Sequence, residues 1–505
     1  MGNPMKLPLL LNSLADSAIQ TPRDIAIISD SVTWSYEQLY ARIQQFEEAL
    51  IEIGIPTNAP VAVLAYKTVE TLSLMLALGR KGHSTLVVSP GLGSNVKPTM
   101  YFQAGVNYEL SASSASSSPL ILVTCFPDFK ADSGFANGDE IHTSLMMTTS
   151  GSTGIPKVVE LSAESISAFI KWGGDYFKIT RASRVLSYAP LNFDLSLLEI
   201  WMPLACGATV ILADIDRATQ ADYLKSLVCN YQPDLIQAVP MFYALLCQKN
   251  EPDRWVSEGT RHVIFTGDMT PLKLRQQVVT RFPLAIFHNV YGCTETNDSF
   301  VYSVNAQVIV RDERLFMGLP VKGSTFRIVT ENGDELQGVG EGELYTSTPF
   351  LARGYTDPDL TTRAFFVDPS DQRIYYRTGD QVARDDTGQM TLLGRNDFIV
   401  KVRGVRTNML DIEQVLMTLP EIKSAVIIPV NDETAGVVLH AVVEPVAGKI
   451  LDGMSLRMHC SRNLAHTSIP KRFHLYDSPL PVTSTGKPDR RTIATSIQAQ
   501  RSEPA

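Results

Sequence analysis

The chain has little that would tie it to a membrane, a zinc site or a nucleic acid. Its six cysteines, Cys125, Cys206, Cys229, Cys247, Cys293 and Cys460, form no CxxC pair, which argues against zinc and dithiol redox motifs. Scattered thiols in an acidic, enzyme-sized chain point to a reducing cytoplasm. Basic residues are in deficit. The 44 Lys and Arg against 53 Asp and Glu give a net charge of −9, whereas a nucleic-acid binder wants a basic face. Long apolar runs are missing too. Leu7-Pro8-Leu9-Leu10-Leu11 stops at Asn12, too short for a signal-peptide core or a membrane span. The final Ser502-Glu503-Pro504-Ala505 matches no lipidation or peroxisomal signal. What remains is an ordinary globular composition, 44% hydrophobic and 19% charged. At 505 residues it exceeds one ordinary core.

Apolar segments alternate in kind along the first 300 residues. A helix begins at Tyr36, and Val61–Ala65 reads as a buried strand. Thr71–Leu78 reads as helix and Thr85–Val88 as strand. Ser111–Ser118, all serine and alanine, is expected to be a loop. Further on, a helix over Leu195–Trp201 precedes strands at Ala208–Leu212, Asp234–Ala238 and His262–Phe265, with a helix over Met241–Cys247 between the last two. Such alternation predicts an α/β fold with parallel sheets. Between 300 and 396 short strands and turns suggest a small antiparallel β unit. A change of texture near Arg395 divides the chain into a large N-terminal domain, 1–396, and a small α+β domain, 397–505.

The densest chemistry lies in Thr148-Thr149-Ser150-Gly151-Ser152-Thr153-Gly154-Ile155-Pro156-Lys157. Five hydroxyls and two glycines crowd residues 148–154, just after an apolar strand ending near Met147. Hydroxyls and bare backbone N–H groups are what a loop needs to wrap phosphate oxygens. The glycine spacing and the missing Lys-Ser/Thr ending rule out a Walker A loop. Lys157 suits either a phosphate contact or a solvated loop.

Four more segments follow in order: Asn289-Val290-Tyr291-Gly292-Cys293-Thr294-Glu295, Tyr376-Arg377-Thr378-Gly379-Asp380, Gly394-Arg395-Asn396-Asp397, and Pro481-Val482-Thr483-Ser484-Thr485-Gly486-Lys487. With the hydroxyl-rich loop they resemble the adenylate-forming superfamily of acyl-CoA synthetases, luciferases and nonribosomal peptide synthetase adenylation domains. The resemblance runs from Ser35-Tyr36-Glu37-Gln38-Leu39 to Lys487. It implies a mobile C-terminal domain turning about Asp397. It also implies ATP and Mg²⁺ as cofactors and attack of a carboxylate on the α-phosphate. Thr149, Ser150, Ser152, Thr153 and Lys157 would then hold the outer phosphates, Thr294 the α-phosphate and Glu295 the Mg²⁺. Tyr291 would stack on adenine while Asn289 reads its amino edge. Asp380 would take the ribose hydroxyls, Arg395 the ribose or phosphates, and Lys487 the reacting carboxylate and α-phosphate. Taken singly, Asp380 also suits a turn cap, Glu295 a surface acid and Lys487 a solvated loop.

Asn192-Phe193-Asp194-Leu195-Ser196 narrows the class, since it resembles the Phe-Asp-x-Ser motif of amino-acid-activating members. There the aspartate pairs with the substrate ammonium, and Asp194 also fits a helix cap. The resemblance carries the specificity pocket to Asp194, Leu195, Leu198, Ala238, Ile264, Thr266, Val290, Asp298 and Ser299, with Gln237 as the alternative to Ala238. Most are apolar, which suits a compact side chain. Asp298 would meet a hydroxyl, an amine or solvent. Two departures stand out: Val158 where the family has glycine, and Asn408 where it has an acid. With 18 residues after Lys487 and no pantetheine-attachment motif, transfer to a separate carrier protein is expected. A CoA ligase and a non-catalytic nucleotide binder are the rival readings.

Overall fold

A computed structural model describes residues 7–30, 32–92, 96–113, 119–126, 143–149, 156–248, 255–311, 314–402, 405–432, 436–464, 468–476, 478–483 and 487–502. The chain separates into two compact units. The first holds Met1–Arg327, Tyr345–Thr378 and Gln389–Thr391. The second holds Ile328–Leu344, Gly379–Gly388 and Leu392–Ala505.

The first unit is built on two sheets. The nine-stranded sheet runs in the order Leu319–Pro320, Asn297–Val304, Ile286–Cys293, His262–Phe265, Leu235–Ala238, Arg184–Ser187, Thr209–Leu212, Ile25–Ser29 and Val32–Ser35. Its six central strands are parallel and its edges antiparallel. Thr209–Leu212 and Leu235–Ala238 are buried at every position, as strands covered on both faces must be. The seven-stranded sheet runs Gly354–Tyr355, Lys157–Ser162, Thr143–Thr149, Thr85–Val88, Val61–Leu64, Tyr108–Ser113 and Leu120–Cys125. Its centre is parallel and its flanks antiparallel.

Helix Tyr36–Ile53 shows how local sequence sets these layers. Ser35 and Gln38 form a reciprocal capping box, and Gly54 closes the far end at φ +72°. Tyr36, Leu39, Ile43, Phe46 and Leu50 make its buried stripe. The Tyr36 hydroxyl donates 2.7 Å to the Ala208 carbonyl, 172 residues away. Helix Val69–Arg80 is apolar nearly all round and is buried accordingly.

Five strands between 325 and 395 form a further sheet, in which Phe365–Val367 and Ile374–Arg384 pair antiparallel. In the second unit, Ile422–Asp432 and Gly436–Pro445 form a long hairpin, with Arg472–Leu475 parallel beside it. Strand alternation sends Ile427, Ala441 and Val443 to one cluster with Ile412, Leu416 and Leu456. It sends Val426, Ile428 and Val442 to another with Leu480, Ile493 and Ile497. Each face of that small sheet therefore has its own apolar cover.

Three expectations need correction. Ser111–Ser113 belong to strand Tyr108–Ser113, which pairs antiparallel with Leu120–Cys125; residues 114–118 lie outside the described residues. Small side chains hid the first strand from a hydrophobicity pattern. The strand before the hydroxyl-rich loop does not stop at Met147 but continues through Thr148 and Thr149. The helix expected from Leu195 starts later, as a π-turn over Leu197–Trp201 followed by α-helix Met202–Ala205.

A polar chain runs from the buried His288 out to the exposed Ser303 and Tyr176. His262 Nδ1 lies 3.1 Å from His288 Nε2, His288 Nδ1 lies 2.6 Å from the Ser303 hydroxyl, and that hydroxyl lies 2.8 Å from Tyr176 Oη. Burial, with the adjacent His262, pushes the His288 pKa down to about 3. The unfolded imidazole titrates near ~6.5. Below that pH the unfolded chain takes up a proton that the folded chain refuses, so stability falls as pH drops from about 6.5 toward 3. The slope from this group is about 1.4 kcal/mol per pH unit. Urea unfolding at several pH values should show that slope, and His288→Asn should flatten it by that amount. An unchanged acid limb in the variant would remove His288 from this role.

Candidate active site

Side chains from distant parts of the first unit meet around Glu295. This carboxylate is buried, and its Oε1 accepts 2.5 Å from the Tyr355 hydroxyl. Tyr355 Oη also lies 3.1 Å from Tyr376 Oη. Burial and the Glu295 charge push both phenols far above the usual range, so they stay neutral donors. Lys157 Nζ sits 5.5 Å from the centroid of the Tyr355 ring. The backbone explains the meeting. Gly354–Tyr355 pairs with Lys157–Ser162, whose Lys157 stands opposite Thr149. Thr149 and Lys157 are thus the two feet of the hydroxyl-rich loop. Its Ser150, Ser152 and Thr153 lie outside the described residues.

Asn289, Val290 and Tyr291 lie on strand Ile286–Cys293. Asn289 Nδ2 donates 2.8 Å to the Phe316 carbonyl, which leaves its oxygen as the available acceptor. The Tyr291 ring meets Phe300 edge-on, with centroids 6.0 Å apart. Gly292 sits at a register shift in the pairing with Asn297–Val304. A Cβ there would collide with the Asn297 backbone, so glycine is required for this turn toward Thr294 and Glu295.

Thr294 reaches the candidate amine site. Its hydroxyl bonds the Asp194 carboxylate. Burial pushes the Asp194 pKa up; the Thr294 bond opposes that rise and the nearby Glu295 charge adds to it. Ser196, not Asp194, stands at the N-cap of the π-turn, and no side-chain cap bond forms there. Leu198, Ile264 and Val290 belong to one apolar cluster. Ala238, expected in the same wall, packs in a different cluster with Phe242 and Tyr243. Strand alternation is the reason. Gln237 stands opposite Ile264 and its Nε2 donates 3.4 Å to the Leu195 carbonyl, so Gln237 replaces Ala238 on this face. Thr266 is buried just beyond the strand. The Ser299 hydroxyl turns to Thr296 Oγ1, 2.9 Å away, and to the Asn297 carbonyl. Asp298 is pushed up to about 8 by burial and by the Asp194 charge. Tyr355 stands in none of the motifs, and Tyr376 opens the Tyr376–Asp380 segment without an expected role of its own; both are far from Glu295 along the chain. The Gly354-Tyr355 dipeptide was the available signal.

In the second unit, Asp380 is buried and follows Gly379, which takes a φ of +72° within strand Ile374–Arg384 rather than in a turn. Arg395 Nη1 lies 3.4 Å from Asp380 Oδ1. The Gly379 N–H donates 3.3 Å to Glu343. Asp397 falls in the 3₁₀ turn Asn396–Phe398. Asn408, the departure noted above, N-caps helix Met409–Met417 through the Leu410 N–H and bonds the Leu393 carbonyl. Lys487 is exposed, its carbonyl accepting 2.7 Å from the Thr483 N–H.

An L-proline–[L-prolyl-carrier protein] ligase of Pseudomonas fluorescens is 26% identical over 516 residues, spanning 97% of this chain and all of that protein. A D-alanine–D-alanyl carrier protein ligase of Bacillus cereus is 25% identical, with the same coverage. The structure of an o-succinylbenzoate coenzyme A synthetase from Bacillus subtilis with ATP and magnesium superposes with a TM-score of 0.80 at 21% identity. It covers 95% of this chain and 98% of that one, and shares its fold. The AMP-binding enzyme model matches residues 14–356 and the AMP-binding enzyme C-terminal domain model matches 411–487. The chain belongs to the AMP-binding enzyme family.

Proposed function

We propose that the chain activates an amino acid as its aminoacyl adenylate and then passes it to the thiol of a separate carrier protein. The observation that carries this reading is Asp194, a half-buried carboxylate whose charge desolvation disfavours, held by the Thr294 hydroxyl and within electrostatic reach of Glu295. A desolvated carboxylate needs a cation, and an amino acid brings one next to the carboxylate that must react. The full-length similarity to two amino acid–carrier protein ligases supports the same reading.

In the first step a substrate carboxylate oxygen attacks the α-phosphorus of ATP. The bond to the β-phosphate breaks and pyrophosphate leaves. In the second, a thiolate attacks the acyl carbon and AMP leaves. Negative charge gathers on phosphate oxygens in the transition state, so donors and cations aimed there are required. Thr149, Ser150, Ser152, Thr153 and Lys157 take the outer phosphates in this proposal, and Thr294 the α-phosphate. Asn289 offers its oxygen to the adenine amino group while Tyr291 faces the ring. Asp380 and Arg395 take the ribose, and Lys487 neutralises the reacting carboxylate and α-phosphate. Mg²⁺ fits Glu295: this ion is held by one or two carboxylates together with phosphate oxygens and water, and Glu295 is a buried carboxylate oriented by Tyr355. When bound, the ion offsets phosphate charge. Among the described residues no helix is long and apolar enough to cross a membrane, and none of the six cysteines forms a disulfide. Both fit the cytoplasmic location we propose.

ATP–pyrophosphate exchange across α- and β-amino acids, fatty acids and aryl acids tests the reading. Exchange should depend on an amino acid, and Asp194→Ala should abolish it. Exchange only with acids lacking an amine would move the chain to a CoA ligase. Lys487→Ala should lower the adenylation rate on the order of 10²–10³-fold, and an unchanged rate would sink its assigned role. If the C-terminal domain turns at Asp397 between the two steps, Asp397→Pro should spare exchange and stop thioester formation. Loss of both would count against the turn.

A further inference from the structure

Two buried acceptor oxygens adjoin the Asp194 segment without a donor. Asp298 Oδ2 and Gln237 Oε1 are closed off from solvent, and neither has a hydrogen-bond partner among the described residues. Gln237 as a whole is 2% exposed. Its Nε2 is committed to the carbonyl of Leu195, the residue after Asp194, so the oxygen is the atom left over. Asp298 lies within electrostatic reach of Asp194. Buried acceptors left unpaired are costly, and two carboxylates in one desolvated space repel unless cations enter.

The chemistry of the missing group follows from what is unpaired. Gln237 Oε1 can only accept, and Asp298 Oδ2 accepts once its carboxyl is ionised. An ammonium brings three N–H donors, a positive charge and no lone pair, whereas a hydroxyl brings one donor and no charge. We infer that the pocket takes a diamino acid, its α-ammonium on Asp194 and its side-chain ammonium on Asp298, with Gln237 as a second acceptor. This rests on the amino acid adenylation reading above. Without a cation, burial and the Asp194 charge hold Asp298 as a neutral acid; a second ammonium supplies the opposite charge that lets it ionise. Carboxylates close enough to interact call for amines a short chain apart, and the apolar cluster that holds Leu198, Ile264 and Val290 would border the few methylenes between them.

The test is ATP–pyrophosphate exchange by the full chain with 2,4-diaminobutyrate, 2-aminobutyrate and homoserine, which differ in the terminal group alone. The wild type should favour the diamino acid over the neutral analogue by on the order of 10²-fold in kcat/KM. Asp298→Asn keeps the shape and removes the charge, and should cut that ratio on the order of 10-fold or more. Gln237→Leu should cut it in the same direction. Equal or better exchange with 2-aminobutyrate or homoserine in the wild type would overturn the inference, whatever the variants do. A ratio unchanged by Asp298→Asn would overturn it too. Exchange with neutral amino acids leaves the adenylation reading standing. Exchange with no amino acid at all removes that reading and this one together.

Discussion

Two-sided burial of the parallel strands is the constraint on which this molecule depends. A parallel strand covered on both faces has no room for charge along its length. Polar chemistry must then emerge where strands end. Thr149 closes one strand, Gln237 stands one residue from the end of another, and Thr266 lies just past Phe265. Asn289 through Glu295 occupy the end of a fourth strand and the turn after it. Asp194 lies in the segment leaving Arg184–Ser187. The crevice outside strand carboxyl ends is the general place for ligands in α/β sheets, and here the sheet leaves few alternatives.

Electrostatics adds a second demand. Asp194, Glu295 and Asp298 interact within one desolvated region. Each is restrained differently: Asp194 by the Thr294 hydroxyl, Glu295 by Tyr355, and Asp298 by holding its proton. Lys67 and Glu199 lie deeper in the same unit. Burial pulls the lysine down and pushes the glutamate up, while their mutual charge opposes both shifts. Lys67 is further anchored by the Ser187 carbonyl and Glu199 by the Ala189 N–H. Glu199 stands five residues after Asp194 and Lys67 bonds Ser187 seven residues before it, which ties this segment to the core.

Much of this was legible in the chain. The parallel α/β character, the strands at Thr85–Val88 and His262–Phe265, and the ordered motifs can all be read from residue pattern. Other parts were not, for identifiable reasons. Tyr355 is 60 residues from Glu295, and only strand pairing beside Lys157 brings them together. Gln237 and Ala238 could not be separated by pattern, because a strand buried on both faces loses the apolar–polar alternation that assigns sides. The strand Tyr108–Ser113 was hidden by serine and alanine. The late start of the π-turn after Asp194 had no compositional mark.

The alternation at Gln237 and Ala238 carries a consequence for descent and redesign. One face of that strand packs through Leu235 into the cluster of Leu198, Ile264 and Val290, while the other meets the aromatic packing of Phe242 and Tyr243. Neighbouring codons therefore answer to different selective pressures. In the proposed pocket, drift at Gln237 would retune what enters while the packing behind the sheet stays frozen. Drift at Ala238 must pass a folding filter first. On the proposed function the strand would act as a partition that lets substrate choice diversify without renegotiating the scaffold.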